Sequence, residues 1–324
     1  MSRHRQERSD TLDAGSLPVR SGSDRPQPGA VSALRAWLIA SRPHTLTIGI
    51  SPVLVGGALA WAETGRVDLW LLLLSLLGAF LLQAGTNLDN DVSDFQRGTD
   101  RAGRIGLPRA TALGLLTTRQ VRAASWGCFA LATAIGLLLA WHGGWPILIA
   151  GIAAAAAALA YSGGPRPISY TPFGDFVVWL FFGLVAVGGT YYLQTLSLSP
   201  GVLVAATMVG LPATAVLVVN NYRDLAPDTQ VGKRTLAVCL GPAFSRWEYA
   251  VLMLAPFVLL GLLSPRTPIG IGRLLPLLAL PMAVGLVRRF WREKPGSSFN
   301  PLLARTAKFQ VLFSVLLCVA ILLN

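Results

Sequence analysis

Two short stretches of this 324-residue sequence gather oxygen ligands in a pattern that suits a divalent cation holding phosphate. The first runs Asn87-Leu-Asp-Asn-Asp-Val-Ser-Asp94 and continues Phe-Gln-Arg-Gly-Thr-Asp100. On a helix, Asn87, Asp91 and Asp94 stand at i, i+4 and i+7 and share one face, and Asn90 and Asp94 form another i, i+4 pair. Asp89 points elsewhere and has no ligand role. The second stretch runs Asn220-Asn-Tyr-Arg-Asp224-Leu-Ala-Pro-Asp228, then Thr-Gln-Val-Gly232-Lys233-Arg234-Thr235. Asn220 and Asp224 are again one turn apart. Pro227 predicts a helix end nearby, with Asp228 in the loop or at a new helix start. The Gly-Lys-Arg-Thr run offers a flexible backbone, two cations and a hydroxyl to phosphate oxygens. It lacks the upstream glycine of a Walker loop.

Charge gives these clusters a reason to bind metal. Six of the 15 acidic residues lie in them: Asp89, Asp91, Asp94, Asp100, Asp224 and Asp228. Two like charges 4 Å apart cost about 4 kcal/mol at an effective dielectric near 20. A polyphosphate alone would add to that repulsion. Mg²⁺ takes a few carboxylate oxygens and completes its shell with water and phosphate, which relieves both problems. The competing reading is that Asn and Asp merely cap helix ends. Two such clusters, each trailed by basic residues, favour the metal. Arg42 opens the first apolar segment with Pro43 and His44, and either reaches phosphate or snorkels to the interface. His44 reads as a local hydrogen-bonding residue. The Gly- and Pro-rich stretch 161–170 makes a turn in any case, and its Tyr161 and Arg166 are candidates to line the same site.

The elements that must position these residues are membrane spans. The chain is 53% hydrophobic and 13% charged, about half the charge of a soluble domain. Its apolar residues come in blocks of about twenty. Spans are predicted at 38–61, 69–90, 120–141, 145–162, 173–195, 201–222, 249–263, 274–290 and 307–323, nine in all. With the N-terminus inside, only Arg66, Arg266 and Arg273 of the 27 Lys and Arg residues fall outside. That asymmetry predicts a cytoplasmic N-terminus and an outer C-terminus. The net charge of +12 invites a nucleic-acid partner, but the cations sit between apolar blocks rather than on one patch, and none is expected. Cys128, Cys239 and Cys318 show neither disulfide nor metal spacing and read as reduced apolar fillers. Residues 1–31 are predicted to be a disordered basic tail without a signal-peptide core, and 32–324 a single transmembrane domain. Two long cytoplasmic loops, 91–119 and 223–248, each begin where a carboxylate cluster lies.

Six stretches in order carry a family likeness: SRPHTL at 41–46, QAGTNLDNDVSDFQRGTD at 83–100, GLPRATALGLLT at 106–117, YSGGPRPISY at 161–170, FFGLVAVGGTYYLQT at 181–195 and NNYRDLAPDTQVGKRTLAVCLG at 220–241. Over 35–323 the chain resembles the UbiA superfamily of intramembrane prenyltransferases, and within it the branch that prenylates 1,4-dihydroxy-2-naphthoate for menaquinone. The resemblance implies an all-α bundle of nine transmembrane helices around a central cavity, multi-pass in a bacterial cytoplasmic membrane. It implies Mg²⁺ held by Asn87, Asp91 and Asp94 on one side and by Asn220, Asp224 and Asp228 on the other, with the four aspartates catalytic. It implies diphosphate contacts from Arg223, Lys233 and Arg234, joined by Arg42 and Tyr161. The substrates would be a polyprenyl diphosphate and an aromatic acid, and Asp91 is the candidate general base. Three departures stand out: Asp89 at a position usually small or apolar, Gly98 where an aspartate often follows Asp94 (with Asp100 a displaced substitute), and Pro227 before Asp228. Acceptors such as 4-hydroxybenzoate, homogentisate or a tetrapyrrole are the alternatives. A cation-coupled transporter is the alternative of another class. It would carry acids near the midplane on broken helices, whereas here they end long spans.

Overall fold

In the computed structural model, residues 32–98, 105–106, 108–263 and 271–323 are described. The tail expected over 1–31 and the substitute Asp100 lie outside the described residues. Among those residues there is no strand, and eight helices are long and apolar enough to cross a bilayer. The chain is a multi-pass, all-α membrane protein.

A short helix α1 (Ala33–Ser41) packs Ala36 and Ala40 inward and meets α2 (Pro43–Thr64) at Arg42, whose φ of 52° is left-handed. That conformation costs a side-chain-bearing residue about 1–2 kcal/mol, so the corner is held by what surrounds it. Helix α3 (Leu69–Gln96) has 28 residues, or about 42 Å at 1.5 Å per residue. The hydrocarbon core is only about 30 Å thick. Its last turns, which carry the first cluster, therefore stand at the membrane surface. Helix α4 (Thr118–Ser162) has 45 residues, about 68 Å by the same arithmetic and enough for two crossings. It breaks at Gly144, where φ is 69°, a turn that glycine makes without strain. The nine predicted spans are thus eight helices, one of them folded into two arms.

Helix α5 (Gly174–Thr195) is π-helical in its middle, Leu180–Gly188, and its Gly183 meets Gly210 of α6 (Pro200–Arg223) backbone to backbone. Small residues allow such approach in lipid, where packing rather than hydrophobicity joins helices. A six-residue helix α7 (Leu225–Gln230) follows, then α8 (Leu236–Leu262), α9 (Leu274–Arg292) and α10 (Phe299–Leu322). Two starts precede the predicted ones, α8 at 236 rather than 249, with a break at Gly241 where φ is 79°, and α10 at 299 rather than 307. Each added piece carries charges (Arg246 and Glu248, Arg305) that interrupt an apolar run without ending a helix.

Helix α2 packs on α3, α5 and α10, α3 on α4, and α6 on α5, α8 and α10. Gln310 of α10, fully buried, bonds Ser51 of α2 through Nε2 to Oγ at 2.9 Å. Such polar glue fixes register inside the membrane. At the end of the bundle that carries the carboxylate motifs, Tyr222 of α6 lies between Phe290 (4.6 Å) and Phe299 (5.0 Å). Tyr249 stacks on Phe290 at 4.3 Å. This aromatic cluster anchors the base of the second carboxylate motif.

Candidate active site

A cavity of about 1370 Å³ opens among α2, α3, both arms of α4, α5 and α6. Its shaft is apolar, with Ile135 and Leu139 on one arm of α4, Ile147 on the other, and Phe182 and Leu193 on α5. Its other end is polar. Asn87, Asn90, Asp94, Asn220, Asp224 and Asp228 line it with Arg42, Tyr161, Arg223 and Lys233. The polar end and the apolar shaft are continuous.

The first motif stays helical throughout, and its face is not quite the predicted one. Asn87, Asn90 and Asp94 line the cavity, but Asp91 does not. Asp91 is fully buried, and its Oδ1 accepts a hydrogen bond from the Thr111 hydroxyl at 3.1 Å. The correction has a geometric cause. At 3.6 residues per turn Asn90 and Asp91 flank the Asn87–Asp94 line on opposite sides, and only packing of the 108–116 segment against one flank decides which is covered. In this structure Asp91 therefore stands behind the cavity wall rather than on it. Asn87 is held by Nδ2 bonds to the Ser41 carbonyl and the Thr45 hydroxyl, both 2.8 Å. Asn90 accepts from Arg42 Nη2 at 2.9 Å and donates to Ser162 Oγ at 2.8 Å. The left-handed corner at Arg42 aims its guanidinium into this network.

Asp94 pairs with Arg109 at 2.5 Å, both side chains nearly buried. Arg109 also lines the cavity. It lies in the 106–117 stretch, where a lone arginine after proline in a loop gives no periodic signal. Gly98, where an aspartate was expected, has φ of 68° and ends α3 as a left-handed C-terminal residue.

The second motif breaks its helix. Helix α6 ends at Arg223, and Asp224 caps α7 with φ −93° and ψ 13°. Pro227 falls in the first turn of α7, where the missing N–H costs nothing. Asp228 is therefore at a new helix start. Arg223 grips Asp224 with Nε at 2.8 Å and Nη2 at 2.6 Å, and also donates to Asn220 and Asn300. Asn300 in turn donates to the Ile105 carbonyl at 2.9 Å, tying α10 to the loop after the first motif.

Lys233 pairs with Asp228 at 3.1 Å. Burial raises the Asp228 carboxyl above its ordinary range; Lys233 opposes this, while Asp224 and Asp94 reinforce it. Burial pulls the Lys233 ammonium down, but Asp228 and Asp94 outweigh it and the net direction is up. Arg234 is a correction. It is exposed and absent from the cavity wall, and its N–H donates to the Tyr170 carbonyl at 3.0 Å. Of the two cations only Lys233 lines the cavity. Thr235 caps α8 by accepting from the Val238 N–H and does not face the cavity.

The donor set suits a hard cation. Three carboxylates and three amides offer only oxygen at one pole, and each carboxylate has a cation beside it. Among the described residues no group of three His, Cys, Asp or Glu forms a protein-only cage. A metal sharing its shell with diphosphate oxygens needs none.

The UbiA prenyltransferase family profile matches residues 49–321. A relative from Escherichia coli, named 1,4-dihydroxy-2-naphthoate octaprenyltransferase, is 36% identical over 310 residues, covering 91% of this chain and 97% of its own. One of the same name from Mycobacterium tuberculosis is 37% identical over 278 residues, covering 85% and 93%. Among solved structures, the apo UbiA homolog from Aeropyrum pernix superposes with a TM-score of 0.65 at 16% identity, covering 86% of this chain and 97% of that one. The UbiA homolog from Archaeoglobus fulgidus bound to GPP and Mg²⁺ gives 0.62 at 18%, covering 89% and 100%. The archaeal structures support the fold; the family profile and the bacterial relatives, matched end to end, establish kinship: the chain belongs to the UbiA prenyltransferase family.

Proposed function

We propose that this protein transfers a polyprenyl group from its diphosphate to 1,4-dihydroxy-2-naphthoate, with Mg²⁺, at the cytoplasmic side of the membrane. The observation that carries the reading is one cavity whose polar pole joins two carboxylate motifs and whose apolar shaft runs on between the helices. The naphthoate acceptor rests on the bacterial relatives, and the cytoplasmic placement on the Lys and Arg asymmetry.

Asn87, Asn90 and Asp94 would hold metal from α3, and Asn220, Asp224 and Asp228 from the α6–α7 joint. Bound there, Mg²⁺ supplies Lewis-acid stabilisation of the departing diphosphate. Arg42, Arg109, Arg223 and Lys233 face the same pole, where fixed positive charge favours the leaving group as the allylic C–O bond breaks. Tyr161, on the cavity wall, bounds this pole on the α4 side. The apolar shaft holds the isoprenoid tail and excludes water from the allylic carbon. The ring carbon that carries the acceptor's carboxylate then bonds that carbon and loses carbon dioxide. The product is a demethylmenaquinol, the reduced form of a demethylmenaquinone. Loss of carbon dioxide restores the aromatic ring, so no base is needed at Asp91.

Purified protein given Mg²⁺, a polyprenyl diphosphate and a mixture of aromatic acids tests this directly. Mass analysis should find the decarboxylated, prenylated naphthoate as the main product. Prenylated 4-hydroxybenzoate or homogentisate in its place would overturn the acceptor, and no prenylated product would overturn the function.

A further inference from the structure

Outside both motifs, the turn between α4 and α5 presents one aromatic ring to two cations. Tyr170 ends a 3-10 turn, Ile168–Tyr170. Arg97 Cζ lies over its ring at 5.3 Å from the centroid, and Lys233 Nζ at 4.9 Å. Arg97 follows the first motif and Lys233 the second, and both line the cavity while Tyr170 does not. Arg97 is further held by the Ser162 and Gly164 carbonyls at 2.6 and 2.8 Å. The Tyr170 carbonyl accepts from the Arg234 N–H at 3.0 Å, which pins the turn to the Lys233 segment.

We infer that Tyr170 is a positioning residue for the diphosphate, its ring face holding Arg97 and Lys233 together at the cavity's polar pole. This rests on the reading of that pole proposed above. Two cations at one mouth repel and would turn to water. Asp228 already pairs with Lys233 at 3.1 Å; the aromatic face adds attraction for both cations through its quadrupole and cancels neither charge. Arg97's two hydrogen bonds go to neutral carbonyls, and Asp89 lies within its electrostatic reach without pairing closely among the described contacts. The Tyr170 hydroxyl is buried and makes no hydrogen bond among the described residues. The ring, rather than the hydroxyl, therefore does the positioning, and phenylalanine should replace it.

The test measures calorimetric binding of inorganic pyrophosphate with Mg²⁺, and KM for each substrate, on full-length detergent-purified protein. Tyr170→Leu should weaken pyrophosphate and raise the polyprenyl diphosphate KM about tenfold, the scale of two cation–π contacts, with acceptor KM unchanged. Tyr170→Phe should match the parent. Tyr170→Met, which keeps bulk without a π face, serves if the leucine variant does not fold. Equal behaviour of the phenylalanine and leucine (or methionine) variants, or a shift in acceptor KM instead, would overturn the inference. Lys233→Met separates this from failure of the underlying reading. If Lys233→Met weakens pyrophosphate and the ring variants do not, only the role of Tyr170 falls. If Lys233→Met also binds as the parent does, the pole itself has been misassigned and the inference falls with it.

Discussion

The two carboxylate motifs reach the same electrostatic arrangement by opposite routes. The first keeps its helix intact, and the cation that balances Asp94 arrives from Arg109, fifteen residues on. The second breaks its helix and finds its cations close by, Arg223 adjacent to Asp224 and Lys233 five residues after Asp228. A continuous helix can present three ligands on one face but has no room for their counterions on it. A joint between two helices presents ligands and counterions together, at the cost of a residue outside helical geometry. The local solution shows in the sequence as an Arg-Asp pair and a Gly-Lys run. The distant one depends on how a loop closes.

The largest effects should come from testing whether the motifs are equal partners. Asp94→Asn and Asp224→Asn should each lower kcat/KM by about a thousandfold, the scale of losing a charge-stabilising group at the reacting centre. Full activity in one alone would make the other motif structural. The counterions sharpen the contrast next. Arg109→Met removes the cation paired with the buried Asp94 carboxylate and should cost about 3–5 kcal/mol, read as a lower detergent melting temperature with early proteolysis after residue 98. Arg223→Met should also release α10 through Asn300, so its first cleavages should fall near 224–231 instead.

A smaller effect separates the two flanks of the first motif. Asn90→Ala should raise the Mg²⁺ concentration for half-maximal rate about tenfold, since a lost oxygen ligand is worth roughly 1.4 kcal/mol or more. Asp91→Asn should leave that concentration unchanged and lower stability by about 1–3 kcal/mol through its Thr111 bonds. The reverse result would restore Asp91 to the site. The smallest effect is on pH. Asp228 must be ionised to bind metal, and its raised carboxyl places the acid limb of kcat/KM above the ordinary carboxylate range. Lys233 holds that carboxyl down, so Lys233→Met should move the limb to still higher pH. A shift the other way would show that Lys233 and Asp228 do not interact in the free enzyme.

Much of this protein was legible before any coordinates. Composition, apolar blocks and charge asymmetry specify a multi-pass helical membrane protein, because lipid permits no unpaired backbone and so turns hydropathy into architecture. The carboxylate motifs, too, were visible as spacing. Helix starts were less so: α8 and α10 begin earlier than their apolar runs, since a helix that leaves the bilayer sheds its hydropathy signal while keeping its hydrogen bonds.

Three features of the site belong to tertiary structure alone. Whether Asn90 or Asp91 faces the cavity is settled by which flank of α3 the 108–116 segment covers. Arg109 becomes a partner of Asp94, and Tyr170 a partner of Arg97 and Lys233, only when loops far apart in the chain converge on one mouth. Periodicity restricts a residue to a face of its own helix; what lies against that face depends on packing between segments, which no local pattern encodes.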